Sequence, residues 1–427
     1  MTALQSATLL LVINLGFLWL LMRIPLGRRT ICLSRTYGCS PDRLWKAMNP
    51  AGPDASWHHS VISSHALADR RGVVEQTYRH LDKNGAPSRR LLALEPLPWM
   101  ASNAHGFQAH IIDDSTLDPT FWDNYRERRM IRPTPDGALL EIEQTDRYRG
   151  LAFLLFRYFV LRREMKALDG WLKTGESLPQ GYFERPLVQG GLAVLSTLLL
   201  WPFLGFDAGG LMLSTFLTLV IVFHELGHMA AYRMFGHASV RMIFVPLLGG
   251  IAVGGRPYRS LFEVATCALM GAGMSAFLVP ILAVATQLAD AGLLPLASRG
   301  PLLIFLLILG AFNLLNLLPM HRFDGGQVLR QIFRTRRSQI AASFVVTLCI
   351  LGIGFEIGLP ANVLTAGLLV FTLVSLVSGG SVKPRQKLEE MKDGERMLVA
   401  FGLYAGIAVH GYAIIFATEK LFLTQVV

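Results

Sequence analysis

Leu211-Met212-Leu213-Ser214-Thr215-Phe216-Leu217-Thr218-Leu219-Val220-Ile221-Val222-Phe223-His224-Glu225-Leu226-Gly227-His228 is the stretch on which the fold turns. Residues 211–223 carry no charge, and apolar character resumes through Met229, Ala230, Ala231 and Tyr232 before Arg233. A helix needs about 20 such residues to cross hydrocarbon. Neutral His and especially ionised Glu are costly there and persist mainly where they face a protein interior or a polar cavity. On a helix, His224 and His228 lie four residues apart on one face and can share a Zn²⁺, with Glu225 beside them as a base. The stretch therefore predicts a membrane span that carries hydrolytic chemistry.

Working outward, the rest of the chain has a matching composition. Of 427 residues, 52% are hydrophobic and only 16% charged, against about 25% charged in a soluble globular chain; the mean hydropathy is +0.42. The net charge of +10 does not call for nucleic acid, because the basic residues gather beside apolar segments, as cytoplasmic loops do. Cys32 and Cys39 fall in a polar region and Cys267 and Cys349 in apolar runs; no metal or disulfide role is assigned to them.

The first apolar run, residues 7–22, is followed by Arg23, Arg28, Arg29 and Arg35. A secretory signal carries its positive charge ahead of its apolar core, so this run is expected to be a membrane anchor whose C-terminal end faces the cytoplasm. Seven further spans are expected at 187–206, 211–233, 262–288, 302–318, 340–355, 361–377 and 397–416. Arginines and lysines follow the third, fifth and seventh spans, while the opposite loops carry few charges. The expected fold is a polytopic α-helical membrane protein of about eight spans with a cytoplasmic α+β domain, both termini being extracytoplasmic. Its parts are an anchor (1–29), the cytoplasmic domain (30–186), a membrane core (187–339) and C-terminal helices (340–427).

Between residues 30 and 186 charged residues, His, Pro and Trp become common, and alternation at 72–78 and 138–144 predicts strands of an antiparallel sheet. Pro135-Asp136-Gly137 predicts a turn, and Ser40 is placed to cap a short helix that begins at Pro41. Residues 150–172 read as a long helix with one face on the sheet. An interfacial helix is the alternative for this segment. The order of helix, sheet and long helix over residues 31–178, with Ser40-Pro41-Asp42-Arg43-Leu44-Trp45 and Thr134-Pro135-Asp136-Gly137-Ala138, resembles the START-like (SRPBCC) helix-grip family. That resemblance implies a cavity for a lipid or other apolar ligand; docking of a regulatory protein is the alternative.

Two histidines make an incomplete catalytic zinc site, which takes a third protein ligand and an open position. Asp324, beyond the end of an apolar helix in Asn316-Leu317-Leu318-Pro319-Met320-His321-Arg322-Phe323-Asp324-Gly325-Gly326, is one candidate and His321 its rival. At these residues the chain resembles the site-2 protease family of intramembrane zinc metalloproteases. His224-Glu225-Leu226-Gly227-His228 matches its HExxH, and Asn316, Pro319, Asp324 and Gly325 match its NxxPxxxxDG. Pro246-Leu247-Leu248-Gly249-Gly250-Ile251-Ala252 resembles its membrane-dipping hairpin, and Gly271-Ala272-Gly273-Met274-Ser275 its central glycine motif. The resemblance implies Zn²⁺ on His224, His228 and Asp324, Glu225 as general base, Asn316 as a hydrogen-bond donor to the oxyanion, and a transmembrane protein as substrate. The competing expectations are an ion- or proton-coupled transporter using the same polar residues and a non-catalytic lipid sensor or scaffold.

Overall fold

The computed structural model describes residues 16, 20, 23–97, 104–176, 185–246, 249–321, 323–377 and 387–423. The expected first span lies outside them except for Gly16 and Leu20. The chain divides into two compact units, residues 1–180 with 380–387, and residues 181–379 with 388–427.

In the first unit, strands β1 (Pro25–Tyr37), β2 (Val61–Ala66), β3 (Val73–Leu81), β4 (Pro87–Pro96), β5 (His105–Asp114), β6 (Arg126–Thr134) and β7 (Gly137–Arg149) form one antiparallel sheet in the order β1-β7-β6-β5-β4-β3-β2. The predicted strands at 72–78 and 138–144 are the cores of β3 and β7. In β7, Ala138, Leu140 and Ile142 are buried while the residues between them are less so, the period-2 pattern of a strand with one covered face. The short helix α1 (Pro41–Met48) begins as expected: Ser40 accepts a hydrogen bond from the Arg43 amide. The long helix α2 (Leu151–Thr174) covers the sheet with Leu161, Met165, Leu168 and Leu172, which join Tyr37, Leu44, Leu140 and Ile142 in one core. The Tyr37 hydroxyl donates to the Met165 carbonyl at 2.9 Å. Arg43 donates to Leu172 O at 2.8 Å near the helix C-terminus, where a cation complements the helix dipole.

Part of this interior is charged. Arg129 is bonded to Glu127 and, at 2.8 Å, to Glu164 of α2. Tyr125 also donates to Glu127, and Arg157 of α2 to Gln144. Burial alone would raise the Glu127 carboxyl, but the Arg129 guanidinium and the Tyr125 hydroxyl outweigh it and hold Glu127 below the ordinary carboxylate range.

The second unit contains α3 (Pro186–Leu200), α4 (Ala208–Met234), the hairpin β8 (Arg241–Val245) and β9 (Gly249–Val253), α5 (Leu261–Ala276), α6 (Leu278–Asp290), α7 (Arg299–Asn316), α8 (Asp324–Ile332), α9 (Arg336–Glu356), α10 (Ala361–Val377) and α11 (Asp393–Thr418). Among the described residues, six helical stretches are long and apolar enough to cross a membrane: Pro186–Phe203, Ala208–Met234, Leu261–Asp290, Leu296–Asn316, Arg336–Glu356 and Asp393–Phe422. The expected span at 361–377 is helical over 17 residues. With the sheet, these helices fit a membrane protein bearing a soluble α+β domain. The span expected at 262–288 lies within the stretch Leu261–Asp290, whose helical pattern is interrupted only at Phe277; Pro280 lacks the N–H that the Ala276 carbonyl would accept.

Packing in this unit brings α4 and α5 into backbone contact. A Cβ on Gly227 would lie 2.0 Å from the Met270 carbonyl oxygen, so only glycine allows this approach. The consequence is that the histidine face of α4 lies directly on α5.

Candidate metal centre

Helix periodicity places His224 and His228 on one face of α4, with their Nε2 atoms 3.1 Å apart. Asp324, at the start of α8, completes a triangle: its Oδ2 is 3.0 Å from His224 Nε2 and 3.4 Å from His228 Nε2. The turn from α7 to α8 explains how it arrives there. Gly325 and Gly326 lie over the Leu317 and Met320 carbonyls, and a Cβ on either would stand 1.9 Å from the oxygen below it. His321, the rival ligand, is exposed in the same turn, and its carbonyl accepts a hydrogen bond from Arg330.

The remaining bonds fix which imidazole nitrogens carry protons. Asn313 donates its Nδ2 to Leu309 O at 2.9 Å, which turns its Oδ1 toward His224 Nδ1, 2.8 Å away. His228 Nδ1 lies 2.7 Å from the Cys267 carbonyl. Both partners are acceptors, so both Nδ1 atoms hold the proton and both Nε2 atoms present lone pairs. Two imidazole lone pairs and a carboxylate oxygen thus converge, and Asp324 Oδ2 is buried with no hydrogen-bond donor. Three acceptors facing one another call for a cation. A Zn–N distance of about 2.0–2.1 Å gives tetrahedral ligand–ligand edges of about 3.3 Å, and the observed 3.0–3.4 Å edges fit that size.

Gly271 of α5 forms the floor of this space. A Cβ there would lie 2.6 Å from His228 Nε2 and 2.7 Å from His224 Nε2 and Cε1. His410 of α11, fully buried, binds the adjacent Ala272 carbonyl through Nε2 at 2.9 Å, tying α5 to α11.

Glu225 is buried, and a carboxylate oxygen of it lies within 4.8 Å of a ring nitrogen of His224 and of His228. Its Oε2 accepts the backbone N–H of Ala252 at 2.7 Å. Ala252 stands opposite Met242 in the hairpin, so this N–H belongs to the outer edge of β9 rather than to the β8–β9 ladder. Gly250, two residues earlier, leaves room for the carboxylate arm, since a Cβ there would be 2.4 Å from Glu225 Cγ.

The residues expected at the site are thus distributed as follows: His224, His228 and Asp324 meet, Glu225 stands beside them, and Asn316 donates its amide to Phe312 O of its own helix at 3.0 Å. Sequence reasoning missed Asn313, one turn earlier on α7 and fully buried. A second polar amide in an apolar helix was the available signal.

No protein-family model matches the sequence, and no curated protein is similar to it. Among solved structures, the chain is similar to a START superfamily protein from Mycobacterium smegmatis, with 13% identity, 34% of this chain and 97% of that one covered, and a TM-score of 0.25. It is similar to a protein from Mesorhizobium loti at 16% identity over the same shares, 34% and 97%, with a TM-score of 0.25. It is also similar to the site-2 protease from Methanocaldococcus jannaschii, at 20% identity with 47% of this chain and 91% of that one covered, and a TM-score of 0.27. The chain resembles both kinds of protein.

Proposed function

We propose that this protein is an intramembrane zinc metalloendopeptidase that cleaves peptide bonds in or near transmembrane segments of other membrane proteins. The observation that carries the proposal is the convergence of two imidazole lone pairs and an unpaired buried carboxylate oxygen beside Glu225. His224, His228 and Asp324 would hold the metal, and zinc, when bound, supplies Lewis acidity to a water and to the scissile carbonyl.

Glu225 is the general base. It takes the proton of the attacking water and returns it to the departing amine. Asn313 keeps His224 in the tautomer that leaves Nε2 free, the usual task of a partner behind a metal-binding imidazole. Asn316 engages one amide proton with Phe312 O and has a second for the oxyanion of the substrate. A helical substrate must unwind before its peptide bond is reachable, and the outer edge of β9, where the Ala252 N–H points at Glu225, suits an extended segment.

In this reading the chain spans the membrane eight times, residues 30–186 and the site lie on the cytoplasmic side, and both termini lie outside. The test uses purified full-length protein and a single-span membrane substrate. Wild type should hold about one zinc per chain and cleave. His224→Ala, His228→Ala and Asp324→Ala should lose the zinc, while Glu225→Gln should keep it and lose cleavage. Full zinc retention in Asp324→Ala, or unchanged cleavage by Glu225→Gln, would overturn the assignment.

A further inference from the structure

The outer face of α2 is at odds with a helix that simply closes a soluble domain. Its inner seam, Leu161, Met165, Leu168 and Leu172, is buried. On the other side Phe153 is 49% exposed, Leu155 43%, Phe156 68% and Phe159 59%. Phe153, Phe156 and Phe159 recur at three-residue spacing and so share one stripe. The next exposed residues along the helix are Arg162, Arg163 and Lys166. Between residues 151 and 168, every exposed side chain of α2 is therefore a large hydrophobe or a cation. Glu164, the one acid in that interval, is half-buried and bonded to Arg129.

The position of this face in the chain supplies the second argument. The Gly150 N–H, immediately before α2, donates to the Ile24 carbonyl at 2.9 Å, and Pro25 pairs with Arg149. Ile24 is two residues past the apolar run 7–22. At 1.5 Å per residue the four hydrophobes stand within about 14 Å of that tether along the helix axis. The headgroup region on each side of a bilayer is about 5–8 Å deep, so with run 7–22 read as a span the four hydrophobes begin beside the headgroup layer, and a helix lying along that layer brings the cations to it as well.

We propose that the outer face of α2 docks on the membrane that holds the chain. Phe153, Leu155, Phe156 and Phe159 enter the headgroup–acyl boundary, and Arg162, Arg163 and Lys166 meet anionic phospholipid headgroups. Aromatic and aliphatic side chains followed by cations are what an interfacial helix presents, and each Lys or Arg near an anionic leaflet adds to the attraction. The cations distinguish this occupant from an apolar helix bundle or a second copy of the same face, which would leave them unmatched or opposed. This surface lies on the outside of the helix, away from the interior that the helix-grip resemblance concerns, and it is independent of the protease assignment.

The test is nitroxide accessibility in the full-length protein, with Cys32→Ser and Cys349→Ser removing the two exposed thiols and a label placed by Phe156→Cys or, as a reference, Lys173→Cys. The protein is reconstituted in phosphatidylcholine vesicles with or without phosphatidylglycerol. In anionic vesicles the label at 156 should collide with a water-soluble nickel complex about fivefold less than the label at 173, and oxygen collisions should rise. The shielding should weaken without phosphatidylglycerol and weaken with Arg162→Glu, Arg163→Glu and Lys166→Glu combined. Equal nickel access at both sites in vesicles would overturn the proposal. So would shielding from nickel with no rise in oxygen collisions, which would place a protein surface on the face, or shielding that follows protein density, which would place a second copy there. Equal shielding with and without phosphatidylglycerol would overturn the role given to the three cations.

Discussion

The backbone amide of Ala252 donates to the Glu225 carboxylate at 2.7 Å, so the proposed base is steered by the edge of a strand rather than by another side chain. Ala252→Pro removes that donor while leaving the β8–β9 ladder, which does not use it, intact. Cleavage should fall by about tenfold or more with zinc content unchanged, because a misplaced base loses alignment and not charge. Zinc analysis beside a cleavage assay checks this; full activity would mean that Glu225 needs no such guide.

Asn313 and Asn316 separate two roles on one helix. Asn313→Ala removes the acceptor behind His224 and should weaken zinc binding by about 10–100-fold. Asn316→Ala should leave zinc in place and lower kcat with little change in KM, as loss of a donor to a developing oxyanion does. A competitive chelator titration and steady-state kinetics on both variants distinguish them. The reverse pattern would exchange their roles.

Gly271→Ala puts a methyl group 2.6–2.7 Å from three imidazole atoms. Every ligand is retained, yet zinc occupancy should drop below half at equimolar metal, since the imidazoles must move apart to admit the methyl group. Elemental analysis of the purified variant gives the answer, and full occupancy would show that α5 can retreat from α4.

In the sheet domain, Arg129→Met strips Glu127 and Glu164 of their shared cation. Breaking a buried pair from one side costs about 3–5 kcal/mol, read as a lower urea midpoint for proteolysis of the β6–β7 region. Glu127 is held below the ordinary carboxylate range when folded, so its contribution is present above that range and is lost as the pH falls through its folded value. In the variant the carboxylate meets burial with less opposition, and acid destabilisation should begin at higher pH. An unchanged acid profile would place the stabilising charge elsewhere.

Local features were legible in the sequence. His224, Glu225 and His228 are fixed relative to one another by helix periodicity, Ser40 by capping and β7 by alternation, and none of these needs a partner at a distance. Asn313 was not legible because which amide of α7 meets His224 depends on how that helix is rotated. Its rotation is set by the buried Leu303, Leu306 and Leu309 packing against Ala413 and Ala417 of α11, contacts about a hundred residues away. Gly271 was visible as part of a motif, but the reason for it, two imidazoles within a bond length or two of a missing methyl, exists only once α4 and α5 are packed.

The space between His224, His228 and α5 is made by a side chain that is not there. A chain can therefore keep both histidines, the glutamate and the aspartate, carry a larger residue at the position of Gly271, and lack that space. Sorting such chains by those four side chains alone will misplace them; the residue to inspect is the one that contributes no side-chain atom to the cluster.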